Sequence, residues 1–313
     1  MLHGAASPDN KNGGIKVNFS IFFSMLVNGL SMGMIYAMIA MGLILLIRAV
    51  GVLNFAQGDL LMVGAYIACV LIMDLSLPFY IAVPLSLVLY ALLGLVFMLA
   101  TYWPLRKASY PVAPIIATMG ASLVLSEGTM ILFGSWPRII SPVLKNAQGK
   151  ALTVNLFGTR LQVQFLLIIV VAIVAMALIY LLFEKSYIGI MMQAAAQDKP
   201  TAELIGISTL MTTAATYMLV VVLVSIGGYM VAPVYTVTTS LSSLNLRAFA
   251  GTVIGGFGSI KGAIIGCLLV GVVESFATIR FSSYKDAIVF LILIVFLIFR
   301  PQGLIIDKVA DKA

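Results

Sequence analysis

The chain contains very few of the side chains that most catalytic and metal sites require. Histidine occurs once, as His3 in a polar N-terminal segment, and the two cysteines, Cys69 and Cys267, both lie inside apolar runs. A single terminal histidine excludes a Ser/His/Asp triad and a histidine metal site, and the cysteine pattern does not indicate a disulfide framework. We therefore expect no catalytic residue, no bound metal and no cofactor, and the cysteines are interpreted as small core residues.

Charge is also scarce. Only 9% of the 313 residues are Asp, Glu, Lys or Arg, whereas 62% are hydrophobic. Runs of about 18 or more apolar residues recur, without the alternation of β-barrel strands, so the composition predicts a polytopic helical membrane protein. The net charge of +7 comes from 18 scattered Lys and Arg residues. Scattered loop charges favour orientation in the membrane over a nucleic-acid site.

A nucleotide-binding loop is missing as well. Gly256–Gly262 (GFGSIKG) is rich in glycine but lacks the Gly-Lys-Ser/Thr ending that contacts phosphate and Mg²⁺. Gly149-Lys150 fails because Ala151 follows it. The chain has no motor of its own, so we do not expect it to be an enzyme.

One polar segment, Glu184–Ser208, separates two long apolar runs, and we call it the elbow. A three-alanine run precedes a break at Asp198-Lys199-Pro200, and a second helical pattern ends at Gly206. This pattern predicts two short helices, with Asp198 as the N-cap of the second and Pro200 in its first turn. We interpret this compact helical segment as the surface on which an external motor protein acts.

The early part of the chain predicts a discontinuous membrane helix. The first apolar run, Phe19–Ile47, is followed by the polar interruption Arg48–Asp59 and by an apolar run of only 14 residues, Leu60–Met73. A full crossing takes about 20 residues, so a short helix beside a glycine-containing loop is typical of a broken helix. Asp59 is expected to cap this helix. The pathway or hinge candidates in the interruption are Asn54, Gln57, Gly58 and Asp59.

Glycine is densest in the last third of the chain. Seven glycines from Gly251 to Gly271 predict two half-length helices, Phe249–Gly256 and Ala263–Val273, around a turn that enters the membrane. The spacing of four between Gly258, Gly262 and Gly266 also predicts one small-residue face for close helix packing. The hinge candidates in this part are Gly255, Gly256, Gly258 and Gly262.

One ionisable side chain, Glu127, lies inside a predicted span, Ala113–Phe133. Burying such a group in a bilayer costs about 2.5–3.5 kcal/mol, so it is expected to face protein or water. Two roles stay open at this point: a helix–helix hydrogen bond and the wall of a transport pathway. No neighbouring acid or histidine in the sequence supports a proton relay.

These features divide the chain into a disordered N-terminal tail (1–18), a transmembrane region (19–304) and a cytoplasmic tail (305–313). The transmembrane region includes the elbow (184–208), predicted to be cytoplasmic, and an external loop with a small hairpin (134–162). The predicted fold class is all-α: a polytopic membrane bundle with about eight crossings and broken or re-entrant glycine-rich half-helices. With the elbow in the cytoplasm, nine Lys and Arg residues fall on each side, so the positive-inside rule does not set the orientation.

Four motifs in order resemble the permeases of branched-chain amino-acid ABC transporters, of the high-affinity leucine/isoleucine/valine import type. They are Leu53–Asp59 with Met62–Tyr66, the elbow from Gly189 to Ile207, Gly255–Ala263, and Arg300–Leu304. The resemblance extends over nearly all of the chain between Asn28 and Leu304. It implies the fold of an ABC importer permease.

The resemblance also implies partners and a location. The chain would be a multi-pass protein of the bacterial inner membrane, surrounded by lipid and without a nucleic-acid partner. It would act with a second, paralogous permease chain, two ABC ATPase subunits and a periplasmic solute-binding protein. The elbow residues that match the ATPase-coupling segment are Gly189, Gln193, Ala194, Ala195, Ala196, Asp198, Ala202, Leu204 and Gly206. Gln193 stands where the family usually carries arginine, which leaves less positive charge toward the ATPase.

Two alternatives remain at the level of the sequence. The same type of importer carries urea, amides or small aromatic acids, because the binding protein selects the solute. An autonomous secondary transporter or channel would instead need a coupling-ion site, for which Glu127 and Glu274 are the available acids.

Overall fold

A computed structural model describes residues 19–106, 110, 112–142, 144, 151–156 and 159–305. The predicted tail 1–18 and residues 306–313 of the predicted cytoplasmic tail lie outside the described residues. The helices are α1 (Phe19–Val50), α2 (Gln57–Cys69), α3 (Phe79–Thr101), α4 (Ala113–Phe133), α5 (Val163–Lys185), α6 (Tyr187–Gln197), α7 (Lys199–Leu204), α8 (Thr209–Val231), α9 (Leu244–Gly255), α10 (Ile260–Phe281) and α11 (Lys285–Phe299). Two antiparallel strands, β1 (Thr153–Leu156) and β2 (Thr159–Gln162), form a hairpin.

Seven helices of the described part are long and apolar enough to cross a membrane: α1, α2 with its π-helical continuation Val70–Asp74, α3, α4, α5, α8 and α10. Helix α11 is equally apolar but has only 15 residues, and α9 has 12. The predicted fold class, an all-α polytopic bundle, is confirmed.

Helix α1 forms the centre of the bundle, because α5, α8, α9 and α10 all pack against it. Its large side chains, such as Tyr36 and Ile44, are fully buried. Helix α10 approaches α1 closely at two glycines: a Cβ added to Gly29 would lie 2.7 Å from the Val272 Cα atom, and one added to Gly33 would lie 2.8 Å from the Leu268 Cα atom. Small residues on α1 therefore allow the two backbones to pack directly.

The elbow and the hairpin lie at opposite ends of the bundle, since β2 leads directly into α5 and α5 ends at the elbow. We call these the elbow end and the hairpin end. Helices α1 and α3 also finish at the elbow end, where the Lys199 Nζ atom of α7 donates to the Tyr102 hydroxyl oxygen at 2.9 Å. At the hairpin end, Thr159 of β2 donates to the Ser20 carbonyl oxygen at 3.1 Å.

Two predictions of element limits are wrong. Helix α2 begins at Gln57 and, with its π-helical turn, runs to Asp74, so Asp59 lies in the first turn and Ala56 is the N-cap residue. Helix α10 is a full-length helix of 22 residues rather than the half-length Ala263–Val273. Its glycines do not break it because they face neighbouring backbones that support the helix. Gly258 precedes α10 with a positive φ of 109° and is not on the helical face with Gly262 and Gly266.

Candidate functional site

Both helices of the elbow have a polar cap. The Ser186 Oγ atom accepts a hydrogen bond from the Gly189 backbone nitrogen at 3.1 Å and starts α6. Asp198 ends α6 and starts α7, accepting from the Thr201 backbone nitrogen at 3.2 Å and from the Thr201 hydroxyl. These caps satisfy N–H groups that a helix leaves free at its first turn. The two helices and the capping role of Asp198 match the sequence prediction.

The hydrogen bonds from Thr201 lower the pKa of the Asp198 carboxyl group. A lowered pKa in the folded protein means that this cap stabilises the elbow above the unfolded pKa of aspartate. The contribution is lost only as the pH falls through the lowered value. The cap is therefore fully ionised at neutral pH.

Gly206 ends α7 in a conformation that favours glycine. Its φ is +87°, its backbone nitrogen donates to the Glu203 carbonyl oxygen at 3.1 Å, and Ile207 donates to the Ala202 carbonyl oxygen at 2.9 Å. These two bonds form a Schellman motif, which turns the chain sharply after a helix. The turn delivers the chain to Ser208, whose side chain caps α8.

The predicted coupling residues lie mostly on the inner side of the elbow. Gly189, Ala195 and Ala202 are buried, and a Cβ on Gly189 would collide with the Leu182 and Phe183 carbonyl oxygens at the end of α5. Gln193, Ala194 and Ala196 are half-buried, whereas Asp198, Leu204 and Gly206 are exposed.

Gln193 stands where the resemblance implies an arginine, and its side chain points inward. Its side-chain nitrogen donates to the Phe183 carbonyl oxygen at 2.8 Å. It thereby satisfies one of the last carbonyl groups of α5.

The outer surface of the elbow was missed by the sequence interpretation. Tyr187 and Leu204 are 76% and 87% exposed, and Ile188, Ile190 and Ile205 are also exposed. For Tyr187, Ile188 and Ile190 the signal is their position off the buried Gly189–Met192–Ala195 face of α6. Leu204 and Ile205 lie at the end of α7, beyond that face. We call Tyr187, Ile188, Ile190, Leu204 and Ile205 the apolar elbow surface. An exposed apolar patch of this kind marks an interaction site.

A second missed residue, Arg48, connects the elbow to the glycine-rich turn. Its guanidinium group donates to the Gly258 carbonyl oxygen, from Nε at 3.2 Å and from Nη2 at 2.8 Å. Nη1 also lies 3.4 Å from the Glu184 carboxylate at the first residue of the elbow. The sequence placed Arg48 only in a polar interruption, because partners 136 and 210 residues away leave no local signal.

The predicted early interruption re-enters the bundle before α2 begins. Gln57 lies beside Gly42 of α1: its Nε2 atom would be 3.6 Å from a Cβ added to that glycine. Gly42 is eight residues, or about 12 Å, before the end of α1 at Val50. The Asn54 side-chain oxygen accepts from the Ala56 backbone nitrogen at 3.0 Å and turns the chain into α2. Helix α2 thus starts inside the bundle, as a broken helix does.

The first turn of α2 meets the start of α9. Gly58 packs so closely against the Ser242 carbonyl oxygen that a Cβ there would collide with it. The Asn245 side-chain nitrogen donates to the Phe55 carbonyl oxygen at 2.7 Å, and Asp59 accepts a hydrogen bond from the Ser122 hydroxyl of α4. The structure therefore brings the starts of α2 and α9 and the Asp59 carboxylate together inside the bundle.

Gln57 is fully buried, yet within the described residues neither its side-chain oxygen nor its nitrogen has a hydrogen-bond partner. The side-chain nitrogen of buried Asn54 is likewise unpaired there. Buried polar atoms are normally satisfied, so the unpaired amides of Asn54 and Gln57 are candidates for contact with a polar group from outside the described chain.

Glu127 lies away from this junction, on the exposed side of α4 with Leu123, Val124 and Ile131. No polar partner for its carboxylate occurs in the described part of the chain. Among the described residues, Glu127 therefore accepts no hydrogen bond from another helix of the chain.

The glycine-rich turn between α9 and α10 lies at the elbow end, and its backbone packs directly against neighbouring backbone segments. A Cβ on Gly255 would collide with the Gly262 carbonyl oxygen, and the reverse is also true. A Cβ on Gly303 would likewise collide with the Gly256 Cα atom, whereas one on Gly256, whose φ is +117°, would collide with the Ile305 carbonyl oxygen. The Ile305 backbone nitrogen donates to the Gly255 carbonyl oxygen at 3.0 Å, so the end of the chain is joined to this turn.

A buried ion network near the hairpin end was also not predicted. The Arg247 Nη2 atom of α9 lies 2.6 Å from Asp286 of α11, and its Nε atom lies 3.4 Å from Glu274 of α10. The Tyr36 hydroxyl of α1 donates to the other Glu274 oxygen at 2.6 Å, and Lys285 lies 3.6 Å from Glu274. Glu274 is therefore engaged by two cations and a hydroxyl group.

Known sequences are similar to this chain over most of its length. Residues 25–297 match the profile of a family described as the branched-chain amino acid transport system permease component. The chain belongs to this family. The permease is 31% identical over 297 residues to the high-affinity branched-chain amino acid transport system permease protein BraD of Pseudomonas aeruginosa, covering 91% of this chain and 95% of BraD.

The permease is also 28% identical over 298 residues to the high-affinity branched-chain amino acid transport system permease protein LivH of Salmonella typhimurium, covering 92% and 96% of the two chains. It is 27% identical over 278 residues to a probable branched-chain amino acid transport permease protein LivH of Methanocaldococcus jannaschii, covering 85% and 87%. The resemblance to this family that the four motifs predict is confirmed.

Proposed function

We propose that this permease is the membrane subunit of an ATP-driven importer for branched-chain amino acids in a bacterial inner membrane. It acts with a second permease chain, two cytoplasmic ATPase subunits and a periplasmic solute-binding protein. The substrate follows from the relatives, whose names specify branched-chain amino acids. Urea, amides or small aromatic acids have no such support here.

The observation that carries the proposal is the apolar elbow surface. Tyr187, Ile190 and Leu204 are presented to solvent on two helices whose caps and corner fix their geometry. A rigid, solvent-facing apolar patch on a chain without a nucleotide loop is suited to receive force from an ATPase. In this proposal the elbow faces the cytoplasm.

Movement of the elbow would reach the solute pathway through Arg48 and the glycine-rich turn. Arg48 binds both Glu184 and Gly258, and α9 leads from that turn to the junction with α2. The unpaired amides of Asn54 and Gln57 lie at this junction. We assign them to solute binding when the pathway opens, with Gly58 and Asp59 beside them.

Co-purification from the native membrane in mild detergent tests the proposal. We expect mass spectrometry to identify two ATPase subunits and a second permease with this chain, and uptake of labelled leucine to require all of them. Replacing the exposed Tyr187 and Leu204 by Ser should release the ATPases while the second permease stays bound. Replacing Leu123 and Val124, which are equally apolar and exposed on α4, by Ala should keep the ATPases bound.

Recovery of this chain alone in several detergents, with leucine uptake by the purified chain, would overturn the proposal in favour of an autonomous transporter. That alternative is disfavoured by Glu274, which is already paired with Arg247 and Tyr36 and is not available with Glu127 as a coupling-ion site.

A further inference from the structure

A cavity of about 370 Å³ lies between the end of α3, the elbow helix α7 and the first turn of α8. Tyr102, Trp103 and Arg106 line it from the α3 side, and Lys199 and Glu203 line it from α7. We call it the α3–α7 cavity. It has the size of a small-molecule site and lies apart from the junction of α2 and α9.

Because membrane-spanning helices end at this cavity, we infer that it lies at the level of the lipid headgroups. Two of its walls lie at the ends of membrane-spanning helices: Trp103 follows the end of α3 by two residues, and Leu210 lies in the first turn of α8. Tryptophan is enriched at this level of membrane helices because its ring is apolar and its N–H group is polar. A ligand in the cavity would therefore be reached from the membrane interface.

The two cations of the cavity are available to an anion. The Arg106 Cζ atom lies 3.3 Å from the centroid of the Trp103 ring, and this stacking leaves the N–H edges of the guanidinium group free. Lys199 donates to the Tyr102 hydroxyl oxygen at 2.9 Å and has two further N–H groups. Neither cation is paired with an acidic side chain among the residues that the structure describes.

Glu203 is the one acid among the described residues that line the cavity, and its carboxylate accepts a hydrogen bond from the Thr209 hydroxyl at 2.6 Å. With Arg106 and Lys199 the cavity has a net charge of +1, which complements a phosphodiester. Basic pockets between transmembrane helices bind phospholipid headgroups.

We propose that the phosphodiester of a membrane phospholipid binds in the α3–α7 cavity, against Arg106 and Lys199. The headgroup then bridges a membrane helix and the elbow, so α7 is held at the membrane surface by lipid as well as by protein contacts. The inference rests on the proposed function only for the side of the membrane that the lipid occupies.

Native mass spectrometry of the permease, purified from its native membrane with the subunits that remain bound, tests this site. Phosphatidylglycerol, phosphatidylethanolamine and inorganic phosphate are added in separate arms. We expect a phospholipid to bind to the unaltered protein and to bind at least tenfold more weakly to the Arg106→Gln, Lys199→Gln double variant. The matched control Lys185→Gln removes an exposed cation at the same end of the bundle but outside the cavity, and should bind lipid normally.

Tyr102→Phe tests whether a loss of lipid binding comes from the lost cations or from a loosened elbow. It removes the hydrogen bond between Lys199 and Tyr102 and keeps both cations. We expect normal lipid binding by this variant. Unchanged binding by the double variant, a loss with Tyr102→Phe equal to that of the double variant, or displacement of lipid by an equal concentration of inorganic phosphate would each overturn the lipid site.

This measurement does not depend on transport. A failure of lipid binding leaves the proposed permease function intact. A complex without ATPase subunits that still binds lipid through Arg106 and Lys199 would count against the proposed function alone.

Discussion

Arg48 joins two segments that the chain separates widely, the start of the elbow at Glu184 and the turn at Gly258. Arg48→Gln should lower the amount of solute imported per ATP hydrolysed, because movement of the elbow is no longer transmitted to the turn. The ion pair is about a quarter exposed on each side, so its loss should cost at most about 1 kcal/mol of stability. The ratio of uptake to ATP hydrolysis in proteoliposomes is the measurement.

Glu184→Gln is the matched control, since it removes the charge but keeps a side-chain oxygen that can accept from the Arg48 Nη1 atom, and both hydrogen bonds from Arg48 to Gly258 remain, so the connection between the elbow and the turn persists. We expect most of the coupling to survive in this variant. An unchanged transport ratio in Arg48→Gln would show that force reaches the pathway by another route.

The buried ion network distinguishes two acids that contact the same arginine. The Glu274 side chain is 8% exposed and that of Asp286 is 55% exposed. Glu274→Leu leaves Arg247 and Tyr36 partly unpaired in a buried place, so we expect a loss of about 3 kcal/mol. Asp286→Asn should cost about 1 kcal/mol or less, because water and the remaining amide replace the lost charge. Thermal unfolding in detergent measures both, and equal shifts would contradict this assignment.

The sequence predicts the roles of residues that act on close neighbours in the chain, but not those of residues that contact distant parts of the chain. Asp198 and Gly206 act on neighbours within a few positions, so residue type and spacing predict their roles in the elbow. Arg48 and Arg247 act on partners that only the packed bundle brings near. Gln57 was a candidate by its place in a polar interruption, but its burial without a partner is visible only in the structure.

At the scale of elements, the sharp exit from α7 depends on Gly206. Gly206→Pro cannot adopt a φ of +87° and cannot donate to Glu203, so the Schellman turn is lost. We expect ATP-driven uptake to be abolished while the protein still inserts into the membrane. Gly206→Ala is the graded control: it keeps the N–H group, carries a strain of about 1 kcal/mol, and should retain partial uptake. Normal uptake with Gly206→Pro would remove the elbow from the coupling mechanism.

Helices α9 and α10 depend on contact between their backbones. Gly262→Leu places a side chain against the Gly255 carbonyl group, where there is no space for a Cβ. We expect a lower yield of assembled complex on size-exclusion chromatography. Lys261→Leu, next to it on the exposed side of α10, should assemble normally. Full assembly of Gly262→Leu would mean that α9 moves away from α10 without cost.

The lengths of elements were less predictable than their existence. Glycine density in α10 predicted a half-length helix, yet the helix is continuous because its glycines contact α9 and α1 rather than water. Sequence hydropathy correctly indicated spans in α3, α4 and α5, which are the least buried of the seven membrane-length helices. It does not distinguish a glycine that breaks a helix from one that packs it.

At the scale of the whole molecule, the proposal requires the elbow and the hairpin to lie on opposite sides of the membrane. The charge bias does not set the orientation, so a chemical label is needed. Cys69 and Cys267 are fully buried, and background labelling by a membrane-impermeant thiol reagent should therefore be low. The exposed positions Gln197 in the elbow and Asn155 in the hairpin provide one reporter for each end.

In cells with a permeabilised outer membrane and an intact inner membrane, the reagent should label Asn155→Cys from outside. Gln197→Cys should react only in inside-out vesicles. Both variants are expected to transport normally, because neither side chain has a hydrogen bond within the described residues. The opposite pattern would place the elbow outside, away from any ATP, and the apolar elbow surface would then have to bind an extracytoplasmic protein. Labelling of both positions from one side would contradict the bundle itself, since the single membrane-spanning helix α5 separates the hairpin from the elbow.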